Sequence, residues 1–391
     1  MTDFNKFTLS LHNHLTEIFD KNLSEEDKHK INLQFWEEIK ELKCNDFRLY
    51  YYKAYFFKAE NNIQEAQNNI DEAIKLVDEI VWYKTIKDPK KLIIENGKNL
   101  FASDDKGNAF CIKQEHINQY IVKVFLLAGE IYAENDDEEM SLKNYQIGQY
   151  YNSFLKPEFQ DNVSVFSFRK FNQYSLSDLI NNTITVSSSK SMNDPIDSII
   201  NLWANEENLE KLCKEKKHIK PYSKSFDYFR MRSFCINEDK TIGNVVMWSH
   251  YADEHRGFCI KYKLSKHFIC QEKDSKNYEH MYLKKIKYSN KVIDLLQNKI
   301  EIGIAYATKK RDWKYEHEVR LIVYNPNNTA EHYGIELDNN SEIEAIYFGY
   351  RCPDATITTI KNLFKANTYC PKFYKMELNE NNIYHLKYNE I

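Results

Sequence analysis

Residues 247–262 read Met-Trp-Ser-His-Tyr-Ala-Asp-Glu-His-Arg-Gly-Phe-Cys-Ile-Lys-Tyr, and this stretch decides how the C-terminal part of the chain is read. Trp248, His250, Tyr251, Asp253, Glu254, His255 and Arg256 crowd together just before Gly257. The apolar run Phe258-Cys259-Ile260, followed by Tyr262, then has the character of a strand. Packing alone is served by Leu, Ile and Val. An indole, two imidazoles, a phenol and charges at one strand start suit a site that stacks on a ligand and also binds it through polar contacts.

Working outward, the chain on both sides reads as short strands mixed with helices. Strand-type runs fall at Val163–Phe168, Thr183–Ser188, Phe229–Ile236, Phe258–Tyr262, Glu318–Tyr324 and Glu344–Phe348. Helix candidates fall at Ser175–Asn182, Asp197–Lys216, Val292–Ala307 and Ala355–Phe364. No regular βαβ alternation links them, so residues 160–391 are expected to form an α+β domain with a split, mostly antiparallel sheet. Phe373, Met376, Leu378, Tyr384 and Leu386 alternate loosely enough to add two edge strands.

Residues 1–156 carry a different pattern. Ile31, Leu33, Phe35, Trp36, Ile39 and Leu42 are spaced as on a helix. Tyr50, Ala54 and Phe57, then Ala66, Ile70 and Ala73, flank a turn at Glu60-Asn61-Asn62. The spacing returns as Phe125, Gly129 and Tyr132, then Ser141, Tyr145 and Gly148, around Asn135-Asp136-Asp137. Helices cross closely where one side lacks bulk, so small residues at these points predict helix–turn–helix units. The pattern resembles the tetratricopeptide repeat, with an insertion at 84–116 that Ile93-Ile94, Phe101 and Phe110-Cys111-Ile112 would fold into a hairpin; an irregular helical bundle is the alternative. Either form is a scaffold or a protein-partner surface.

The composition narrows the class. Over 391 residues, 42% are hydrophobic and 29% charged, as in soluble two-domain proteins. No apolar segment is long enough to span a bilayer, the N-terminus lacks the layout of a signal peptide, and no membrane association is expected. Eight scattered Cys with no CxxC pair argue against zinc knuckles and disulfide frameworks and suit a reducing cytoplasm. A net charge of −4 supplies no global field for nucleic acid, and nine Gly form no phosphate-binding loop. His250 and His255 lack the i,i+4 spacing of a helical zinc pair, so no metal is expected. No G-x-S-x-G elbow is present, although Ser249 or Ser233 with His250 leaves a Ser–His pair open.

Four stretches carry a family resemblance: Ser167-Phe168-Arg169; Ser187-Ser188-Ser189-Lys190-Ser191-Met192-Asn193-Asp194-Pro195; Met247 to Asp253 with Gly257 to Ile260; and Lys309 through Trp313-Lys314-Tyr315-Glu316-His317-Glu318-Val319-Arg320. In order and rough spacing, residues 163–324 resemble the bacterial domain-of-unknown-function family 2971. Met192 replaces the Phe usual before Asn-Asp-Pro. More distantly, the layout resembles the ADP-ribosyltransferase superfamily, in which an early strand supplies Arg or His, a later one Ser or Tyr, and a late one Glu. That resemblance implies NAD as substrate, and a bacterial toxin or phage-defence effector whose helical part senses or recruits.

Chemistry gives these residues roles. Cleavage of the nicotinamide–ribose bond passes through an oxocarbenium-like state, which a carboxylate stabilises. Glu318 is the candidate for that charge, with Glu316 positioning or deprotonating the acceptor; on a strand the two would share a face. Arg169 would hold the dinucleotide phosphates, Ser187, Ser189 and His250 would join it in binding the cofactor, and Trp248, Tyr251 or Trp313 would stack on nicotinamide or adenine. Each has a plainer alternative: Glu316, Glu318 and Arg320 as exposed cross-strand charges, Arg169 in a structural ion pair, Trp248 in the core, and Asn193-Asp194-Pro195 as a helix start. A nuclease and a non-catalytic nucleotide- or protein-binding module are the competing functions, and nucleic acid is one candidate acceptor.

Overall fold

In the computed structural model the described residues are 3–18, 23–85, 92–95, 99–103, 109–154, 158–159, 161–191, 214, 217, 220–221, 224, 227–274, 279–290, 306–365, 370–382 and 384–391. They divide into two units, 1–155 with 211–225, and 156–210 with 226–391.

The first unit is built from helices α1 (Asp3–Ile18), α2 (Glu25–Ile39), α3 (Phe47–Ala59), α4 (Ile63–Thr85), α5 (Gln114–Glu134) and α6 (Glu138–Phe154). Ser24 caps α2 and Asp46 caps α3, each side chain accepting a first-turn N–H that has no helical partner. The α3–α4 and α5–α6 turns are built alike, bond for bond. Asn61 and Asp136 both take left-handed backbone, φ 58° and 60°. Asn62 donates to Phe57 O and Asp137 to Tyr132 O; Asn62 Oδ1 then accepts from Glu65 N and Asp137 Oδ1 from Met140 N. Ala54, Ala66 and Ala73 are fully buried, as the small-residue spacing predicts. Ser141 replaces Ala in the second hairpin without stranding its hydroxyl, which donates to Gly129 O at 2.6 Å. The segment expected as a hairpin forms three antiparallel strands, β1 (Leu92–Glu95), β2 (Asn99–Ser103) and β3 (Ala109–Lys113).

The second unit carries an eleven-stranded, mostly antiparallel sheet. Its strands are β4 (Val163–Arg169), β5 (Thr183–Ser187), β6 (Phe229–Cys235), β7 (Phe258–Leu264), β8 (Cys270–Asp274), β9 (Glu279–Lys285), β12 (Glu318–Tyr324), β13 (His332–Glu336), β14 (Glu342–Phe348), β15 (Lys372–Glu377) and β16 (Lys387–Glu390). A separate parallel pair joins β10 (Lys287–Tyr288) to β11 (Thr308–Lys309). The order is β16-β15-β14-β7-β4-β6-β12-β9-β8, with β5 attached to β6 and β13 to β5. The two edge strands expected near the C-terminus are β15, parallel to β14, and β16. Strands β8, β9 and β13 have no counterpart in the sequence reading; the helix candidates Asp197–Lys216 and Val292–Ala307 and the Asn193-Asp194-Pro195 turn fall essentially outside the described residues.

One junction positions the site. β4 pairs with β7 along its whole length, yet meets β6 at the single pair Phe166–Cys235. β6 instead runs against β12 from Phe229 to Cys235 and touches β5 at Met231–Ser187. A wedge is left between β4 and β6. Val165, Ile260, Phe234, Val319 and Ile346 pack the core on one side, and Phe166, Trp248, Cys259 and Tyr347 belong to a second cluster.

Candidate functional site

A cavity of about 960 Å³ fills the wedge. β4 contributes Phe166, Phe168 and Arg169, β6 contributes Met231 to Cys235, and β5 contributes Thr185 and Ser187. Lys309, Trp313, Glu316, Glu318, His250, Tyr251, Tyr174 and His332 also line it. Of the residues expected from sequence, Arg169, Ser187, His250, Tyr251, Trp313, Glu316 and Glu318 meet here, and Trp248 and Ser189 do not.

The acidic end is a closed network. Glu316 ends a 3₁₀ turn (Arg311–Glu316), His317 takes left-handed backbone at φ 47°, and Glu318 opens β12. The two carboxylates therefore converge through the His317 kink, not through strand alternation as expected. They are also buried, at 3% and 4% exposure, which excludes exposed cross-strand charges. Lys309 Nζ donates to Glu316 Oε2 at 2.6 Å and to Glu318 Oε2 at 2.9 Å. Arg320 Nε donates to Glu318 Oε1 at 2.6 Å, and its Nη1 reaches Tyr306 O at 2.9 Å. Tyr251 donates its phenol proton to Glu316 Oε1 at 2.5 Å. Trp313 covers Lys309, whose Nζ lies 4.9 Å from the ring centroid.

These surroundings set the two acids apart. Burial opposes the Glu318 anion, but the charges of Arg320 and Lys309 outweigh it and hold its carboxyl well below the usual range. Burial raises Glu316 above the ordinary value, Lys309 opposes that, and the neighbouring Glu318 charge adds to it. Burial and Glu316 push the Tyr251 phenol up, so it stays a donor. Of the two, Glu316 is the more readily protonated and Glu318 the better-held anion.

The cationic end lies on β4 and β6. Arg169 Nη2 donates to Asp178 Oδ2 at 3.0 Å. Asp178 sits on α7 (Gln173–Asn181), whose start is fixed by a capping box between Asn172 and Ser175. Its other oxygen accepts from Thr185 N at 3.0 Å and from the hydroxyls of Thr183 and Thr185. The ion-pair reading of Arg169 holds, and the residue lines the cavity as well. Gly257 brings the start of β7 against this strand: a Cβ there would lie 2.1 Å from Arg169 O, so no other residue fits without moving the backbone. Upstream of it, Asp253, Glu254 and His255 take left-handed backbone in succession, at φ 50°, 52° and 70°. Each such non-Gly residue stores about 1 kcal/mol or more of strain.

Two expected ligand contacts are corrected. Trp248 is fully buried on α9 (Val245–Tyr251, following α8, Glu238–Thr241). Its indole N–H donates to Ile242 O at 2.6 Å and its ring meets Phe168 edge-on at 5.1 Å, so it is core and unavailable to stack on a ligand. Ser189 bonds to the Tyr306 phenol, and Ser191 lines the cavity in its place. Ser187 bonds to His332 Nδ1 at 2.9 Å. His250 is exposed and shares a 3.3 Å contact with the Tyr315 hydroxyl. The Ser249 hydroxyl donates its proton to Val245 O and lies 3.0 Å from His255, not His250, so its own proton is not presented to the ring as a nucleophile's would be.

Sequence reasoning missed Lys309 as the bridge, Arg232, Asp178, Tyr174 and His332. The alternation Phe229-Arg230-Met231-Arg232-Ser233-Phe234 was the available signal for Arg232, an unusual charge inside a strand. Among the described residues no group of three His, Cys, Asp or Glu could hold a metal ion, and no helix is long and apolar enough to cross a membrane.

No curated protein and no solved structure matches the chain. Residues 247–321, from the Trp-Ser-His-Tyr helix to the Glu316–Glu318 kink, match the model of a family described as a protein of unknown function (DUF2971).

Proposed function

We propose that the cleft consumes NAD by breaking its nicotinamide–ribose bond, as an ADP-ribosyltransferase or an NAD hydrolase. The observation that carries this reading is that one cavity, opened where β4 parts from β6, is lined both by Arg169 and by the Glu316–Glu318 pair, which reach it from opposite faces of the split sheet. A dinucleotide presents the matching groups: anionic phosphates, ribose hydroxyls and a ribose carbon that becomes positive as the bond breaks.

In this mechanism the C1–N bond breaks and its electron pair neutralises the pyridinium, releasing nicotinamide. Water or an acceptor hydroxyl attacks C1, and Glu316 takes its proton. Glu318 is the leading candidate from sequence, but both its oxygens are held by cations, Lys309 and Arg320, whereas Glu316 Oε1 meets only the neutral Tyr251 phenol. In this reading Glu316 is the reacting carboxylate through Oε1, and Glu318 fixes Lys309 and, through it, Glu316 Oε2. Tyr251 orients Glu316, and Trp313 offers a face for stacking. The helical unit, with its two tetratricopeptide-like hairpins, recruits a protein partner or an acceptor. This arrangement fits a toxin or phage-defence effector, with nucleic acid as one acceptor class.

The test is nicotinamide release from NAD by the pure protein, alone and with lysate or nucleic acid. Release that falls at least a hundredfold in a folded Glu316→Gln variant supports the reading. Absence of turnover under every condition, with no NAD binding by calorimetry, sinks it. Metal-dependent degradation of nucleic acid would indicate a nuclease instead.

A further inference from the structure

The second unit holds four buried or half-buried arginines on its central strands, and they differ in how well their donors are met. Arg230 is fully enclosed: its Nε donates to Ala330 O, its Nη1 to the carbonyls of Asp227 and Phe229, and its Nη2 to Thr329 O, at 2.7–2.8 Å. Arg320 is held by Glu318 and Tyr306 O. Both serve the scaffold. Arg169 and Arg232 line the cavity instead.

A guanidinium carries five N–H donors. Among the described residues Arg169 uses one on Asp178, and Arg232 uses one on Ser167 Oγ, at 2.5 Å. Burial, then the Arg169 charge, disfavours the Arg232 cation, and Asp178 opposes this only in part. Tyr262 beneath them feels Asp178, Arg232 and Arg169 together. Asp178 bonds only the first of them: its Oδ1 accepts from Thr183 and Thr185 and its Oδ2 from Arg169. Two permanent cations thus face one cavity with a single carboxylate between them, and most of their donors are unmet.

We propose that Arg169 and Arg232 form a two-guanidinium subsite for a diphosphate, completed across the wedge by Arg232 of β6. Two planar forks from opposite strands suit two linked phosphoryl groups, because each fork can engage one group bidentately. A single phosphate would leave one fork unmet. This rests on the nucleotide reading of the cleft but does not require that the cleft react with NAD. It makes Arg232 a specificity-determining residue for diphosphate ligands. The ligand-free subsite is held against its own charge repulsion, so removing one cation relieves strain as it removes affinity.

Titration of the full chain with inorganic pyrophosphate, with inorganic phosphate as control, tests this by calorimetry in the absence of NAD. Wild type is expected to bind pyrophosphate at least tenfold tighter than phosphate. Arg232→Met should weaken pyrophosphate at least tenfold while the ligand-free thermal midpoint stays equal or rises, which a merely structural arginine would not allow. If that variant does not fold, Arg232→Lys serves, since it keeps the charge without the fork and should bind several-fold more weakly. No pyrophosphate binding by wild type, equal affinity for phosphate, or unchanged affinity in the folded variant overturns the proposal. Pyrophosphate binding without nicotinamide release keeps the subsite and removes the NAD-cleaving reading; release that is indifferent to Arg232 does the reverse.

Discussion

The two helical hairpins and the cleft store information in different ways. Each hairpin is written within about two helices of chain, and the second repeats the turn bonds of the first. The cleft draws Arg169, Ser187, Arg232, Tyr251, Lys309 and Glu316 from separate segments that only sheet pairing brings together. Local patterns were therefore sufficient for the first and insufficient for the second. The hairpins also show how a repeat tolerates change. Aligned on their equivalent turns, the first hairpin has Ala54 and Ile70 where the second has Gly129 and Tyr145, a smaller residue on one helix and a larger one on the other. A Cβ on Gly129 would lie 2.8 Å from the Tyr145 ring, which is itself buried.

The contrast predicts that the most damaging single change lies in the cleft. Lys309→Met leaves Glu316 and Glu318 facing one another without their shared cation, an uncompensated buried charge that costs about 3–5 kcal/mol. Urea unfolding should show this loss, and acidification should recover part of it as Glu316 takes up a proton. A loss below 1 kcal/mol would show that the network does not support the fold.

In the hairpin the corresponding damage is steric and can be repaired locally. Gly129→Ala should cost about 1–3 kcal/mol. Adding Tyr145→Ile, which restores the Ala–Ile pairing of the first hairpin, should recover most of it in a double-mutant cycle. Additive losses would mean that the two hairpins are not equivalent at this contact.

Smaller effects separate the two acids. Glu318 has a depressed carboxyl, so its contribution to stability is complete above the unfolded value and fades as pH falls through the lower folded one. Glu316 is raised, so its contribution is complete below the unfolded value and is lost as pH rises through the folded one. In the proposed mechanism the Glu316 anion takes the proton, so kcat/KM for nicotinamide release should fall up to tenfold per pH unit below that raised value. A limb that persists unchanged in Glu316→Gln would assign it elsewhere. Smallest of all, Asn172→Ala removes the cap of α7 and should cost about 1 kcal/mol, with nicotinamide release reduced less than in Lys309→Met.

What the sequence disclosed follows the same division. The small-residue spacing located Ala54, Ala66 and Ala73 at buried contacts, and the runs around Phe258 and Val319 were strands. Glu316, Glu318, Arg169 and Ser187, each in a distinctive local stretch, line the cavity. Trp248 was misassigned because an indole at a strand start has the same signature whether its N–H meets a ligand or the Ile242 carbonyl. Lys309 and Arg232 carry no local mark of their partners. Their significance comes from Glu316 and Glu318 in one case and Arg169 in the other, which folding alone brings near.

The most direct test of the central claim is a crystal structure of the protein with a non-hydrolysable NAD analogue. The diphosphate should lie between Arg169 and Arg232, and the nicotinamide ribose should reach the Glu316 carboxylate. Analogue bound elsewhere, or a cavity left empty at saturating concentration, would contradict it.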